Sequence, residues 1–377
     1  MSSIVPAGPA TARNLTGVAA DLIGSLTGQP AGLAAARSAV LVVVDGLGAI
    51  PLRAHRAHAR FLVAAMGRRD VARTVFPSTT ASALSSLLTG VAPGEHGLVG
   101  YRVLDPDRGV LANQLDGYER DGLDPLAWQR SETMFERAGR AGLRPFAVSL
   151  DRYATTGLTR AIMRGAEFVG EKDPAQRVRM SIALAEQHPG ALVYCYLPEL
   201  DQAGHKHGIA SAAWTQALEA IDAALRPAER LPQGVGMIVT ADHGMVDVPP
   251  HRHVLLRDGD PRLAGVAHLG GEPRMLHVYA APGVDAGELA RVWREESGVT
   301  AEVSTRDEAI AAGLFGPRVA EHVRGRIGDV LVAARGLWAF YDDRLADKKS
   351  QGMIGQHGSV SAEETTVPFI RLGVFAG

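Results

Sequence analysis

Short apolar runs rich in valine recur along the chain, at Ala39 to Val44, Pro145 to Leu150, Ala191 to Tyr196, Gly236 to Thr240 and Val330 to Ala333. Helix-like patterns lie between several of them, at Thr80 to Leu88, Ser131 to Ala141, Pro174 to Gln187 and Ser211 to Leu225. Such alternation predicts an α/β fold, a sheet covered on both faces by helices. Over residues 251–340 the texture changes. Met275 to Ala280 reads as a strand, Ala286 to Glu296 as a helix and Arg306 to Ala312 as a further helical piece, which predicts a small α+β insertion. The catalytic core would then comprise residues 36–250 and 341–377. Residues 1–35, rich in Ala, Gly and Pro, are expected to form a loose N-terminal arm with a short helix around Leu15 to Leu26. No internal repeat is visible.

Composition narrows the partners. The 377 residues are 46% apolar, enough to bury a substantial core. Lys and Arg number 39 against 41 Asp and Glu, a net charge of -2, so there is no basic stripe of the kind a nucleic-acid surface needs. Any attraction for phosphate must be local. The N-terminus lacks a basic start followed by an apolar run, and no stretch approaches the roughly 20 apolar residues of a membrane span. The single cysteine, Cys195, precludes an internal disulfide and sits inside an apolar run, where a buried thiol is expected. A soluble, cytoplasmic protein is the resulting expectation.

Polar clusters at strand ends and in loops carry the chemistry. In Val42-Val43-Val44-Asp45-Gly46-Leu47-Gly48 a carboxylate stands where an apolar strand ends, the edge at which open α/β sheets bind ligands. Asp45 could equally cap the following turn. A dinucleotide fingerprint is disfavoured, because Pro51 stands where its third glycine belongs. Phe76-Pro77-Ser78-Thr79-Thr80 leads into an apolar helix, with Ser78 or Thr79 as the cap. A hydroxyl in that first turn also lies near free N–H groups that suit a phosphoryl oxygen, although threonine needs a base or a metal to become a nucleophile. Asp201 and His205, four apart after the third strand run, share one face of a helical turn and can bind one ion. His207 falls on the wrong face. Asp242 and His243 follow another strand, and both can meet one ion only if the strand ends there, which Gly244 permits. His357, bracketed by Gly355 and Gly358, is uninformative alone and would ordinarily be an exposed loop residue.

Together these clusters supply three carboxylates, three imidazoles and one hydroxyl. That mixed N/O inventory suits two zinc ions better than magnesium, which prefers oxygen alone. Two dications would outweigh the three aspartates by one positive charge, attracting a phosphate ester anion.

The ordered motifs Val44-Asp45-Gly46, Phe76-Pro77-Ser78-Thr79-Thr80 to Leu88-Thr89-Gly90, Pro93-Gly94-Glu95-His96-Gly97, Asp201 to His205, Asp242-His243-Gly244 and His357-Gly358 span residues 39 to 370. In that order they resemble the alkaline phosphatase superfamily, in particular its type I phosphodiesterase/nucleotide pyrophosphatase branch. The resemblance implies an alkaline-phosphatase-like sheet and a phosphodiester or pyrophosphate hydrolase with two divalent ions. It implies Thr80 as nucleophile, with Thr79 the near competitor. Asp45, Asp242 and His243 would share the metal beside Thr80, and Asp201, His205 and His357 would hold the second. In-line attack would give a phospho-threonine that water then hydrolyses. One departure matters: where family members carry a phosphoryl-binding Asn, this chain reads Gly100-Tyr101, so Tyr101 would be the substrate-binding donor.

The implied partner is a small phosphate ester, with a nucleotide as one option. The chain lacks the Phe-Pro-Asn-His of many eukaryotic members after its threonine, which leaves nucleotide specificity open. Phosphomonoesterase or phosphonate hydrolase activity is the rival on the same scaffold. A sulfatase would need a Cys or Ser in a Cys/Ser-x-Pro-x-Arg context, and a mutase would use serine and manganese. The non-enzyme alternative is a catalytically dead binding module on the same fold.

Overall fold

The computed structural model describes residues 4–6, 12–29 and 32–376. Its central sheet has eight strands: β1 (Arg13–Asn14), β2 (Ser38–Val44), β3 (Val71–Arg73), β4 (Arg144–Ser149), β5 (Glu167–Gly170), β6 (Ala191–Leu197), β7 (Val235–Thr240) and, last in the chain, β12 (Thr366–Gly373). They lie in the order β1-β3-β12-β7-β2-β6-β4-β5. Every residue of β2, β6 and β7 is buried, as continuous apolar strands must be when helices cover both faces. All pairings are parallel except those of β12, which runs antiparallel between β3 and β7. The register pairs Val43 with both Tyr196 and Thr240, so β2, β6 and β7 end at the same edge of the sheet.

The principal helices are α1 (Val18–Leu26), α2 (Thr80–Thr89), α3 (Met134–Arg140), α4 (Pro174–Gln187), α5 (Glu199–His207), α6 (Ala212–Leu225) and α7 (Ala286–Ser297). Four start where the sequence places them or within a residue. The helix expected over Ser131 to Ala141 is shorter, because Thr133 caps it and closes a capping box with Glu136.

A second, antiparallel sheet joins β8 (Val266–Glu272), β9 (Met275–Ala280), β10 (Ala301–Thr305) and β11 (Val330–Ala334) in the order β8-β9-β11-β10. Its strands obey period two. Leu276, Val278, Val330 and Val332 pack with Leu289 and Trp293 of α7, whereas Met275, Leu331 and Ala333 on the other face join the main core. The small sheet is therefore fastened to the body across a shared apolar layer.

The N-terminal expectation needs correction. The helix is present, but Leu15, Val18, Ala19 and Leu22 are fully buried in the core, and α1 packs on α2 and α3. Apolar side chains at positions 15, 18, 19 and 22 form one stripe on a helical turn, and that stripe needs a partner surface. The remaining parts of the expected arm, residues 1–3, 7–11 and 30–31, lie outside the described residues. Among the described residues no helix is long and apolar enough to cross a membrane.

Candidate active site

β2 ends at Val44, and the next residue, Asp45, emerges at the shared sheet edge. The turn then requires Gly46, whose φ of 73° is left-handed and whose missing side chain lets Asp201 approach: a Cβ there would lie 3.1 Å from the Asp201 Cα. β7 ends at Thr240, which frees Asp242 and His243 from strand alternation. Asp242 Oδ1 accepts the backbone N–H groups of Gly46 at 3.3 Å and His243 at 3.0 Å. His243 Nε2 then stands 3.4 Å from Asp45 Oδ1 and 3.5 Å from Asp242 Oδ2. These three residues form one buried cluster.

α5 projects Asp201 from its first turn and His205 from its last to one side, with Nε2 of the histidine 3.4 Å from the carboxylate. His357 completes a second cluster with them. Its ring stacks on His243 with centroids 3.6 Å apart, so the two clusters adjoin. His207, at the end of α5, is exposed and belongs to neither.

Thr79 is the cap of α2, its hydroxyl accepting from Ser82 N–H at 3.5 Å. Thr80 follows as the first helical residue, and its Oγ1 lies 3.0 Å from His243 Nε2. Ser78 does not cap. Its carbonyl instead accepts from His357 Nδ1–H at 3.0 Å, and its hydroxyl donates to Ser359 O at 2.7 Å.

The donor set fits divalent cations of borderline softness. Asp45 Oδ1, Asp201 Oδ1 and Asp242 Oδ2 are buried without any hydrogen-bond partner, which is costly for carboxylates unless a cation receives them. Each histidine spends Nδ1–H on a backbone carbonyl: His205 on Gly355 at 2.8 Å, His243 on Gly244 at 3.1 Å, His357 on Ser78. Since a carbonyl only accepts, Nε2 keeps the lone pair in all three, the tautomer a metal needs. The electrostatics agree. Burial, then the charges of Asp242 and Asp201, push the Asp45 carboxyl well above the usual range, and burial raises Asp201 against the pull of His205 and His243. Burial, then His243 and His205, holds His357 well below the usual imidazole range. Crowded, buried carboxylates are what dications relieve.

Tyr101 lies before the hairpin strand Arg102–Asp105, whose partner strand is Val110–Asn113. Burial raises its phenol, which shares a hydrogen bond with the Asn113 side chain. An amide is thus one bond away from the residue that stands where the family Asn is expected. Arg102 pairs in register with Asn113, and its charge acts on Asp121.

Sequence reasoning missed several neighbours. The Tyr196 hydroxyl donates to Asp45 Oδ2, leaving Oδ1 as the free oxygen. Tyr196 lay hidden as one more apolar residue of its strand run. Glu272, at the end of β8, is buried against Gly358, where an added Cβ would meet its Cγ at 2.7 Å. Burial and then Glu364 push its carboxyl well above the usual range.

The family described as type I phosphodiesterase / nucleotide pyrophosphatase matches residues 39–360. The chain is similar to murine ectonucleotide pyrophosphatase / phosphodiesterase 5, with a TM-score of 0.66 at 18% identity over 89% of this chain and 87% of that one. An inactive form of that protein in complex with AMP gives a TM-score of 0.65. Phosphonoacetate hydrolase from Sinorhizobium meliloti 1021, in complex with phosphonoacetate, superposes with a TM-score of 0.68 at 19% identity, over 90% of this chain and 91% of that one. At these identities the likeness is one of fold, the alkaline-phosphatase-like sheet predicted above. An uncharacterized pyrophosphatase/phosphodiesterase of Schizosaccharomyces pombe is 24% identical over 209 residues, 52% of this chain, and the chain spans 42% of that relative's length.

Proposed function

Because this chain belongs to the type I phosphodiesterase / nucleotide pyrophosphatase family of the alkaline phosphatase superfamily, we propose that it is a metal-dependent hydrolase of phosphodiesters or pyrophosphates with Thr80 as nucleophile. The observation that carries this reading is the convergence of three orphaned carboxylate oxygens and three Nε2 lone pairs beside one threonine hydroxyl. Asp45, Asp242 and His243 would hold one ion and Asp201, His205 and His357 the other, with zinc the metal best matched to the mixed donors. Bound there, the ions would lower the pKa of the Thr80 hydroxyl and neutralise charge developing on the phosphoryl oxygens.

The chain's own groups account for the rest. Thr80 Oγ1 attacks phosphorus in line, the P–O bond to the leaving group breaks, and the substrate's phosphoryl portion is left esterified to Thr80. Water attacks that ester in turn, and the P–O bond to Thr80 breaks to restore the hydroxyl. His243 Nε2, 3.0 Å from Thr80 Oγ1, keeps that oxygen beside the ion that Asp45, Asp242 and His243 would hold. The N-terminus of α2 turns its positive end toward the phosphoryl group. Tyr101 donates from its hydroxyl to a non-bridging oxygen. What supports Thr80 over Thr79 is that the Thr79 hydroxyl is engaged as the cap. A cytoplasmic setting is part of the proposal, supported by the single cysteine, Cys195, which is buried as a free thiol.

A panel of monoesters, diesters, dinucleotides and phosphonates, run on zinc-loaded protein, tests the function. Turnover of diesters or dinucleotides is expected. Failure to cleave any of the panel, with metal bound, would instead indicate a binding module.

A further inference from the structure

The turn between β8 and β9, Glu272-Pro273-Arg274-Met275, carries a guanidinium into the body of the protein. Arg274 and Glu364 are both fully buried and form a bidentate pair, with Nε to Oε1 at 2.7 Å and Nη2 to Oε2 at 2.8 Å. Nη1 donates to the Trp338 carbonyl at 2.7 Å. Burial alone would raise the Glu364 carboxyl, but Arg274 and the donors around it hold it below the usual range, whereas Glu272 on the same turn is raised. The cation therefore belongs to Glu364.

From that carboxylate a continuous chain of hydrogen bonds runs to the site. Glu364 Oε1 accepts Ser359 N–H at 3.0 Å and Oε2 accepts Ser361 N–H at 3.3 Å. The Ser359 carbonyl accepts the Ser78 hydroxyl at 2.7 Å, and Ser78 Oγ in turn accepts Gly358 N–H at 3.2 Å. Ser78 N–H donates to Gly358 O at 3.3 Å, and the Ser78 carbonyl fixes His357 Nδ1–H at 3.0 Å. Two residues beyond Ser78 stands Thr80.

A buried ion pair is a weak source of net stability, because desolvation cancels much of its attraction. Its value here is geometric. Three segments far apart in sequence, 272–275, 357–364 and 78–80, are tied together by these bonds, and a ligand must be held within roughly 0.5 Å of its productive place. We propose that Arg274 is a positioning residue: through Glu364 it sets the 357–361 loop, and through that loop the His357 ring and the start of α2. The small sheet is then part of the active-site frame. This inference rests on the reading of His357 as a ligand of the second ion.

The test uses Arg274→Met, and Ser78→Ala as a milder cut in the same chain. Zinc is titrated into the whole protein against a chromogenic chelator, with melting curves and kcat and KM alongside. Either variant should weaken one of the two ions by on the order of 10- to 100-fold, the range seen when a group supporting a ligand is lost. The other ion should stay within about twofold, and kcat should fall more than KM rises. In a double-mutant cycle the two substitutions should be non-additive. Both ions bound as in the wild type, or both weakened equally, would overturn the proposal. If Arg274→Met does not fold, Ser78→Ala decides by the same criterion. Side-chain nitrogen NMR of the metal-free protein keeps this claim separate from the functional one. The His357 Nδ1–H signal should be protected in the wild type and exchange rapidly in the variants, whether or not zinc binds. An unchanged signal would refute the positioning role.

Discussion

Thr80 Oγ1 and His243 Nε2 lie 3.0 Å apart, joining the start of one helix to the segment that follows β7, 163 residues later. Because His243 gives its Nδ1–H to Gly244, the Thr80 hydroxyl is the donor in this contact and Nε2 the acceptor. Thr79, the adjacent residue, turns its hydroxyl to the helix cap instead. Of two neighbouring threonines, one serves the fold and the other faces the carboxylates.

Metal removal is the first consequence. The purified protein is expected to contain about two transition-metal ions, and chelation should abolish turnover, as a two-ion mechanism requires. Asp242→Ala should remove the ion of the buried cluster and disable the enzyme. Metal analysis with an activity assay before and after chelation checks this, and full turnover in the chelated protein would exclude it.

Tyr196→Phe should leave the fold intact, since the ring stays and only a hydroxyl is lost. Without that donor Asp45 Oδ2 has no fixed partner, and the carboxylate can rotate away from the orientation that frees Oδ1. Zinc affinity should drop on the order of 10- to 100-fold at one ion, measured by chelator competition. Unchanged affinity would show that Asp45 is oriented without Tyr196.

How much of this was legible in the sequence depends on where each interaction lives. Asp45, Asp242 and the α5 pair could be read because parallel central strands are continuous apolar runs, and the polar residue ending such a run must leave the sheet at its binding edge. Tyr196 could not, because its role exists only in the register that pairs it with Val43. Arg274 and Glu364 are 90 residues apart and look like ordinary surface charges until the small sheet docks. β12 escaped notice because Pro368 and Arg371 interrupt its apolar pattern, and Pro368 is tolerated in its antiparallel pairing with Val71. The N-terminal helix was placed correctly but read as loose, since burial of its stripe depends on α2 and α3 arriving beside it.

Two buried glutamates should respond oppositely to neutralisation in the metal-free protein. Glu364 has a lowered pKa, so its contribution is fully present above the unfolded value of about 4.3 and is lost as pH falls through the folded value. Glu364→Gln should cost about 3–5 kcal/mol at neutral pH, because it leaves Arg274 buried and unpaired. Glu272 has a raised pKa, so it destabilises the fold as pH rises above the unfolded value. Glu272→Gln should therefore be neutral to stabilising at pH 7, with any gain vanishing in acid. Denaturant melts of both variants across pH check the signs, and a large loss in Glu272→Gln would contradict the assignment.

Diesters are expected to be preferred over monoesters. With Thr80 ionised, two dications balance three aspartates and one alkoxide, which suits a monoanion better than a dianion. Tyr101→Phe should lower turnover by roughly tenfold to a hundredfold if its hydroxyl donates to the phosphoryl group. Higher kcat/KM for p-nitrophenyl phosphate than for bis-p-nitrophenyl phosphate would reverse the assignment and make Arg102 the next residue to change.

The most direct measurement is to trap the nucleophile. Zinc-loaded protein mixed with bis-p-nitrophenyl phosphate, quenched in acid during turnover, digested and analysed by mass spectrometry should carry the residual phosphoryl ester on Thr80. The adduct should persist in Thr79→Ala and vanish in Thr80→Ala, which keeps fold and metals but loses most turnover. An adduct on Thr79, or undiminished turnover in Thr80→Ala, would contradict the assignment of Thr80.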